Sequence, residues 1–598
     1  MNEIVSIDTT VKRPPRRFVT LDFARGIAIL IMVILHIVKH ILDTDMLMSD
    51  SNIVTEPIIA LSAMIFIPFF GGLAGFFLIA SAASNMVSMY RDLEKGKSVR
   101  SLIVKQIVGG FILLIFAMIC EGFTGYWGAL GDFFLNLNNP AATNWAIALW
   151  RWNHFETIHT IAWCIIINGI IHGLLSMKGR WKNRRNLIKS YIIMAIIVIA
   201  LTLPIWLLVD VMVPGYPFTV LDPKILISTP RIGIESFWEI IRAPFLNVFA
   251  SPTEPLFPYL AVSFIGSIIG IIISQPKEKI NRNFPRKLFL IGLSMFVTGL
   301  IGVFFVIGNV AVNTGFLVTG DIMPIVDFYF TIVNHGQWTP YYASYIPQFS
   351  WLAQFLAVNG FSIILFSILF RLIEFRGISK QFANRSKFVR RFGTIAFTNY
   401  NNQWYFFIVW AFTSFILKGT AYAKLQWGGT ALIILLTLGF YSLVNWGWEK
   451  IGYIGSLEWF IRTITNNLIP VRRARFGPDV KWWQKGQVDA ETQFYNAEWI
   501  NIVERPEIET DSKDKVVVSR TELRDSKLSL TLSLVGLFSI FFFVTSIFGL
   551  LIALNSRKRE GKNDYNKAGL IISIIAIVVI VGIFLTLSNI KIGVLGLV

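Results

Sequence analysis

Charge, cysteine and histidine are all scarce in this chain. Of 598 residues only 15% are charged, two are cysteine and six are histidine. So small a charged share cannot cover the surface of a soluble protein of this length. Both cysteines, Cys120 and Cys164, fall inside apolar runs, which argues against a disulfide framework or a cysteine metal site. No metal centre and no tightly bound cofactor is expected.

What fills the chain instead is apolar. Hydrophobic residues make up 54%, with 51 Phe and 19 Trp. A helix needs roughly 20 apolar residues to cross a bilayer, and such runs recur from residue 20 to residue 587. The pattern predicts an all-α, polytopic integral membrane helical bundle. About ten core spans fall near 20–43, 57–89, 101–126, 155–176, 187–209, 256–275, 287–312, 349–373, 393–417 and 427–447. Two more apolar runs, 529–554 and 566–587, read as a C-terminal two-helix hairpin. The division expected is a basic N-terminus (1–18), a multi-span membrane domain (19–466), a soluble charged linker (467–527) and the hairpin module (528–598). The first run follows Lys12, Arg13, Arg16 and Arg17 but shows no small-residue cleavage site, so it reads as a retained helix.

A formal net charge of +18 would raise nucleic-acid binding in a soluble protein. Here Lys and Arg gather in alternate loops, at 91–100, 178–189, 275–287 and 371–391, whereas 313–350 contains none. That asymmetry records topology. It predicts a multi-pass protein of the cell membrane with its N-terminus in the cytoplasm, the lipid bilayer as partner and no nucleic acid. The same count places the basic turn "NSRKREGKNDYNK" (555–567) outside, against the rule. The outer loops 211–255 and 321–351 are long and aromatic; the first includes "IESFWEIIRAPF", which suits an amphipathic helix lying on the membrane surface.

The sharpest signal lies in the first span, where "RGIAILIMVILH" sets Arg25 and His36 at the ends of ten apolar or small residues. Eleven residues are about three helical turns, so both side chains point within roughly 20° of one face, about 16 Å apart along the axis. Arg25 falls in the inner leaflet and His36 near mid-membrane. Asp22, three residues before Arg25, is placed to hold the guanidinium; Lys39 and His40 follow His36. The plain structural alternative is a snorkelling arginine and a histidine bonded to a neighbouring helix. Two ionisable groups on one face of a span instead mark a functional path. A histidine can exchange a proton near neutrality, and an arginine can grip a phosphate or carboxylate.

"LDFARGIAILIMVILH" (21–36) resembles the first-helix signature of the transmembrane acyltransferase superfamily, which includes the bacterial acyltransferase-three proteins and heparan-alpha-glucosaminide N-acetyltransferase. Similar elements follow in order: "FFGGLAGFFLIASAAS" (69–84), "ETIHTIAWCIIIN" (156–168), "FGTIAFTNYNNQW" (392–404) and "IGSLEWFIRTIT" (454–465). The likeness spans roughly residues 15–466. Ser456 stands where the family pattern has proline, and Asn401 and Asn402 where apolar residues are commoner. The final hairpin is similar to small two-span modules appended to many membrane proteins.

The resemblance implies that acyl-coenzyme A, acetyl-coenzyme A being the expected donor, docks from the cytoplasm and acylates a hydroxyl or amine of an extracytoplasmic glycan or lipid-linked acceptor. His36 would then be the catalytic histidine, as general base or as nucleophile. Arg25 would orient the donor, and Asp22 would fix Arg25. Arg180, Lys182, Arg184, Arg185, Arg390 and Arg391 could attract its phosphates or merely record topology. Glu156 and His159 share a helix face, with His154 just before them, and suit hydrogen bonding or acceptor positioning; a metal would need a third ligand. Asn399, Asn402 and Gln403 could line the donor channel or bond between helices. Glu458 and Arg462 fit a salt bridge one helical turn long. A homodimer stays open. The competing readings are a transporter or flippase with Arg25 and His36 along a proton or anion path, and a scaffold without chemistry.

Overall fold

The computed structural model describes residues 16–41, 73–212, 245–318, 350–469, 480–503, 523–538 and 544–590, except 126, 127, 138, 146, 151, 153, 154, 252, 253, 314, 316, 317, 420 and 426 within those ranges. The expected amphipathic segment, most of both long outer loops, His154 and the side chains of Lys39 and His40 lie outside the described residues.

The protein is an all-α polytopic helical bundle. Its long helices are α1 (Val19–Ile41), α2 (Leu73–Glu94), α3 (Val99–Ile119), α4 (Thr157–Ser176), α5 (Arg184–Met212), α6 (Leu256–Ile273), α7 (Phe284–Asn313) and α8 (Ser350–Leu372). There follow α9 (Lys387–Thr394), α10 (Ala396–Asn401), α11 (Tyr405–Leu417), α12 (Trp427–Lys450) and α13 (Leu457–Leu468). Among the described residues nine helices are long and apolar enough to cross a membrane. The chain divides into two compact units, one of residues 1–42, 71–309 and 330–503, the other of residues 43–70, 310–329 and 504–598.

Small residues set the helix spacing in the first unit, because lipid tails offer apolar side chains no incentive to leave them. A Cβ on Gly26 of α1 would overlap the carbonyl of Val389, and one on Gly393 of α9 would overlap the carbonyl of Asp22. The two backbones therefore touch where the ionisable residues of α1 begin. Gly266 and Gly270 of α6 meet α2 in the same way, and Gly110, Gly169 and Gly173 join α3 to α4. Phe370 packs against Phe18, Phe284, Phe366 and Phe375 at centroid separations of 5.1–6.5 Å.

Helix starts are capped as the sequence allows. Ser98 accepts from Ser101 N for α3, and Ser456, the residue that departs from the family's proline, accepts from Trp459 N for α13. The start of α1 is capped from far along the chain. Glu374, just after α8 and fully buried, accepts from Thr20 N at 2.9 Å and from the Thr20 hydroxyl at 2.5 Å. Burial pushes the Glu374 carboxyl up to about 7, against these bonds, which favour the ionised form.

Residues 480–503, within the stretch read as a soluble linker, fold onto the same end of the bundle. Strand β1 (Arg16–Arg17) pairs in parallel with β2 (Glu498–Trp499), Arg16 opposite Glu498. Ile502 N donates to the carbonyl of Glu374, and Ser379 N to Asn501 Oδ1, both at 3.0 Å. Arg390 is wholly buried here: it donates to the carbonyls of Ala383 and Gln493 and stacks on Trp499, 4.2 Å from the ring centre. Arg391 pairs with Glu449 at 2.5 Å. Both arginines are thus committed to packing rather than presented to a nucleotide.

Two expectations are corrected. The run 393–417 is not one helix. The chain leaves helical geometry at Ile395 and again at Asn402, so that α9, α10 and α11 are separate pieces. Side chains take up the backbone groups that the breaks release: Phe397 N donates to Glu458 Oε1 at 2.7 Å, and the Tyr441 hydroxyl to the carbonyl of Asn402 at 2.8 Å. The run 529–554 doubles back on itself, and among the described residues the C-terminal stretch forms α14 (Arg524–Phe538), α15 (Val544–Arg559) and α16 (Asp564–Asn589). The first two fold against each other through small and hydroxyl side chains, Thr545 Oγ1 donating to the carbonyl of Leu532 and Ser529 Oγ to that of Gly549, both at 2.9 Å. The basic turn consequently returns to the end where α14 starts, and Glu560 accepts from Asp525 N and Ser526 N. The alternation of sides expected from the sequence miscounted this doubling back.

Replacing Gly393 with alanine is expected to destabilise the protein by about 1–3 kcal/mol, the usual cost of overpacking, read as a lower unfolding temperature in detergent. Gly308→Ala, where a Cβ meets nothing within 4 Å, serves as the neutral control. The Glu374 carboxyl binds its proton more tightly folded than at its ordinary value of 4.5. Its contribution to stability is therefore complete below about pH 4.5 and lost as pH rises through about 7. Glu374→Gln should flatten that part of a stability–pH profile; an unchanged slope would refute the assignment.

Candidate functional site

The face of α1 that carries Arg25 and His36 looks into the bundle and meets two different environments. At the basic end, Asp22 is nearly buried and its two oxygens are divided between arginines. Oδ1 accepts from Arg25 Nη2 at 2.6 Å, and Oδ2 faces Arg17 Nη1 at 3.5 Å. The expected Asp22–Arg25 pairing is present, with a second arginine that the sequence did not single out. Arg390, Arg91 and Arg462 also lie within electrostatic reach of Asp22, so five guanidinium groups share this one carboxylate.

Arg462, half-buried, differs from the others in its partners. The expected bridge to Glu458 does not form, because Glu458 is captured by Phe397 N and by the Thr398 hydroxyl at 2.6 Å. The carboxylate is better used there, where a broken helix leaves an amide without a partner inside protein. Arg462 is half-buried and makes no hydrogen bond or ion pair with any described residue. Burial and the neighbouring Arg17 and Arg25 charges lower its proton affinity, to about 10, while Glu458 and Asp22 oppose this; it stays charged at neutral pH. Guanidinium groups that outnumber the carboxylates beside them favour an anion with several oxygens.

At the other end of the face stands His36, about 24 Å of helix rise beyond Thr20. Its Nδ1 lies 2.6 Å from Gln403 Oε1. The amide oxygen can only accept, so Nδ1 carries the proton and the lone pair resides on Nε2. Gln403 reaches His36 because the chain breaks at Asn402, and its Nε2 rests against Met32 Sδ at 3.9 Å. Of the residues anticipated from the TNY-type segment, Gln403 alone is brought to the histidine.

The other anticipated residues have different hydrogen-bond partners. Asn399 is buried and donates to the carbonyl of Phe392 at 3.2 Å; the Asn402 side chain bonds Tyr405 and Trp404. Glu156 and His159 form a reciprocal cap on α4, His159 Nδ1 accepting from Glu156 N at 3.3 Å. Among the described residues no group of three or more His, Cys, Asp or Glu side chains is close enough to hold a metal ion. In the loop 178–189, Arg184 pairs with Glu94 and stacks on Tyr90, while Arg180, Lys182 and Arg185 are exposed.

Sequence reasoning did not single out Arg17, nor Glu374 and Glu458 as remote caps. Arg17 lies in β1, outside the helix whose periodicity marks Asp22, Arg25 and His36. Comparison with protein-family models, with curated proteins and with solved structures finds no match.

The Gln403 contact makes a spectroscopic prediction. In nitrogen-15 spectra of histidine-labelled protein, the neutral His36 imidazole should populate the tautomer protonated at Nδ1, and Gln403→Leu should release it into a mixture of tautomers. An unchanged spectrum in that variant would show that the contact does not set the tautomer.

Proposed function

We propose that the protein is an integral membrane acyltransferase. It moves an acyl group, acetyl being the expected one, from acyl-coenzyme A on the cytoplasmic side to a hydroxyl or amine of a glycan or lipid-linked acceptor on the opposite side. The observation that carries the reading is the Gln403–His36 hydrogen bond, made on the same helix face as the ion-paired Arg25 with Arg17 beside it.

In this reading the phosphates of coenzyme A dock at Arg17, Arg25 and Arg462. The axial separation of about 16 Å between Arg25 and His36 is of the kind an extended pantetheine arm spans, which brings the thioester to the imidazole. His36 Nε2 takes the proton of the acceptor as its oxygen or nitrogen attacks the thioester carbonyl. The carbon–sulfur bond breaks, coenzyme A leaves as thiolate, and the imidazolium returns the proton to that sulfur. Acceptor and thioester are thereby converted to ester or amide and free thiol. Asp22 acts at one remove, holding Arg25 and Arg17 against mutual repulsion so that both can face the donor.

The test is acyl transfer from labelled acetyl-coenzyme A by purified protein, against a panel of cell-envelope sugars. His36→Gln is expected to lower kcat by about 10²–10⁴, the usual worth of a general base. Arg25→Ala and Arg462→Ala are expected to raise the KM for the donor about tenfold or more, the worth of a charge-assisted contact. Movement of an acceptor across the membrane without thioester cleavage would establish transport instead, and full turnover in His36→Gln would remove the mechanism.

A further inference from the structure

Residues 480–503 lie beyond the stretch that the family likeness covers, yet they reach the arginine end of α1. The contact is made by backbone. Strand β2 pairs in parallel with β1, and Ile500 N donates to the carbonyl of Arg17 at 3.0 Å. The same stretch is also pinned to residues 374–379, after α8. Ser379 Oγ donates to the carbonyl of Ile500 at 2.8 Å, Ser379 N to Asn501 Oδ1 at 3.0 Å, and Ile502 N to the carbonyl of Glu374 at 3.0 Å. Earlier in the segment, Trp459 Nε1 of α13 donates to the carbonyl of Trp483 at 2.8 Å, and Val488 N to that of Gly452 at 2.9 Å. Residues 498–502 therefore form an anchored clasp between β1 and the chain that follows α8.

What the clasp holds is Arg17. Helix α1 begins at Val19, so no intrahelical bond fixes the two arginines before it. Phe18 is buried against Phe370, ring centres 6.5 Å apart, which anchors the chain behind Arg17 without orienting Arg17 itself. Pairing with β2 does that, because successive side chains of an extended strand point to opposite sides. Arg17 is thereby set beside Asp22, Nη1 3.5 Å from Oδ2.

Arg17 is poorly satisfied where it is held. At 3.5 Å its ion pair is too long for a good hydrogen bond. Arg17 Nε and Arg25 Nε are both buried without a hydrogen-bond partner among the described residues, whereas buried polar nitrogens are ordinarily paired. The two guanidinium groups flank one carboxylate, on side chains 27% and 25% exposed. That arrangement suits an anion with several oxygens that approaches from solvent and bonds both at once.

We propose that Ile500 and Asn501 are positioning residues for a phosphate-binding site at Arg17 and Arg25, acting through the backbone of Arg17. The inference rests on the donor-docking half of the acyltransferase reading and is independent of the chemistry at His36. It gives a segment outside the family-like stretch control over how tightly a phosphate-bearing ligand is held. The phosphate could be that of coenzyme A or of a free inorganic anion.

The test is a double-mutant cycle on the full chain in nanodiscs of zwitterionic phosphatidylcholine. Calorimetry reads the affinity for coenzyme A and, separately, for inorganic pyrophosphate. Ile500→Pro removes the amide that bonds Arg17, Ile500→Val keeps it, and Arg17→Ala removes the guanidinium. Ile500→Pro and Arg17→Ala are each expected to weaken coenzyme A binding about tenfold, the worth of one charge-assisted contact; Ile500→Val should leave it unchanged. Combined, the first two should weaken it no further than Arg17→Ala alone, because the clasp acts through Arg17. The nitrogen-15 signature of His36 should meanwhile stay as in the unmodified chain, which general unfolding would not permit. Should Ile500→Pro fail to fold, Asn501→Ala, which releases only Ser379 N, takes its place with the same expectation. Additive losses, unchanged affinity in the clasp variant, or no binding of either anion to the unmodified chain would overturn the proposal. Coupled losses for pyrophosphate in a chain that does not bind coenzyme A would uphold the clasp and remove the donor reading. Additive losses in a chain that still transfers acetyl groups would do the reverse.

Discussion

Everything at the centre of this molecule follows from two backbones brought into contact. Gly26 of α1 and Gly393 of α9 each lack the Cβ that would collide with the partner's carbonyl. In a bilayer this packing has to be won by fit, since apolar side chains gain nothing by leaving lipid. The contact sits beside Asp22 and Arg25, so it fixes where the charged end of α1 lies against α9 and Arg390. It also sets where the chain goes next: two short breaks beyond Gly393, Gln403 arrives at His36.

The breaks themselves would be ruinous without partners, because a backbone amide or carbonyl freed inside the membrane has no water to bond. Glu458 and Tyr441 supply them. The same economy recurs at the start of α1, where Glu374 reaches from the end of α8 to bond Thr20, and in the C-terminal unit, where Glu560 does so for α14. Carboxylates in this chain are few and several are used as remote helix caps. That leaves the arginines near Asp22 in surplus: Glu458 bonds α10 and forms no direct ion pair with Arg462.

The resulting polarity along α1 is chemical as well as geometric. One end of its inward face presents guanidinium groups, and the other presents an imidazole whose tautomer is set by an amide.

The apolar runs alone determined that the chain is a multi-pass helical protein, because the bilayer thickness sets how long such a run must be. The spacing of Asp22, Arg25 and His36 was equally plain, since three and eleven residues return to one helix face whatever surrounds it. Local rules also reached the caps of α3 and α13, where donor and acceptor lie three residues apart. They did not reach the doubling back of 524–559, the breaks at Ile395 and Asn402, or the choice of Glu458 for a backbone amide over Arg462. Nor could they show that Gln403, and not Asn399 or Asn402, meets the histidine. Each of those depends on which groups are left unsatisfied when distant helices pack, a competition decided between residues 60 to 370 positions apart and invisible to any single stretch of chain.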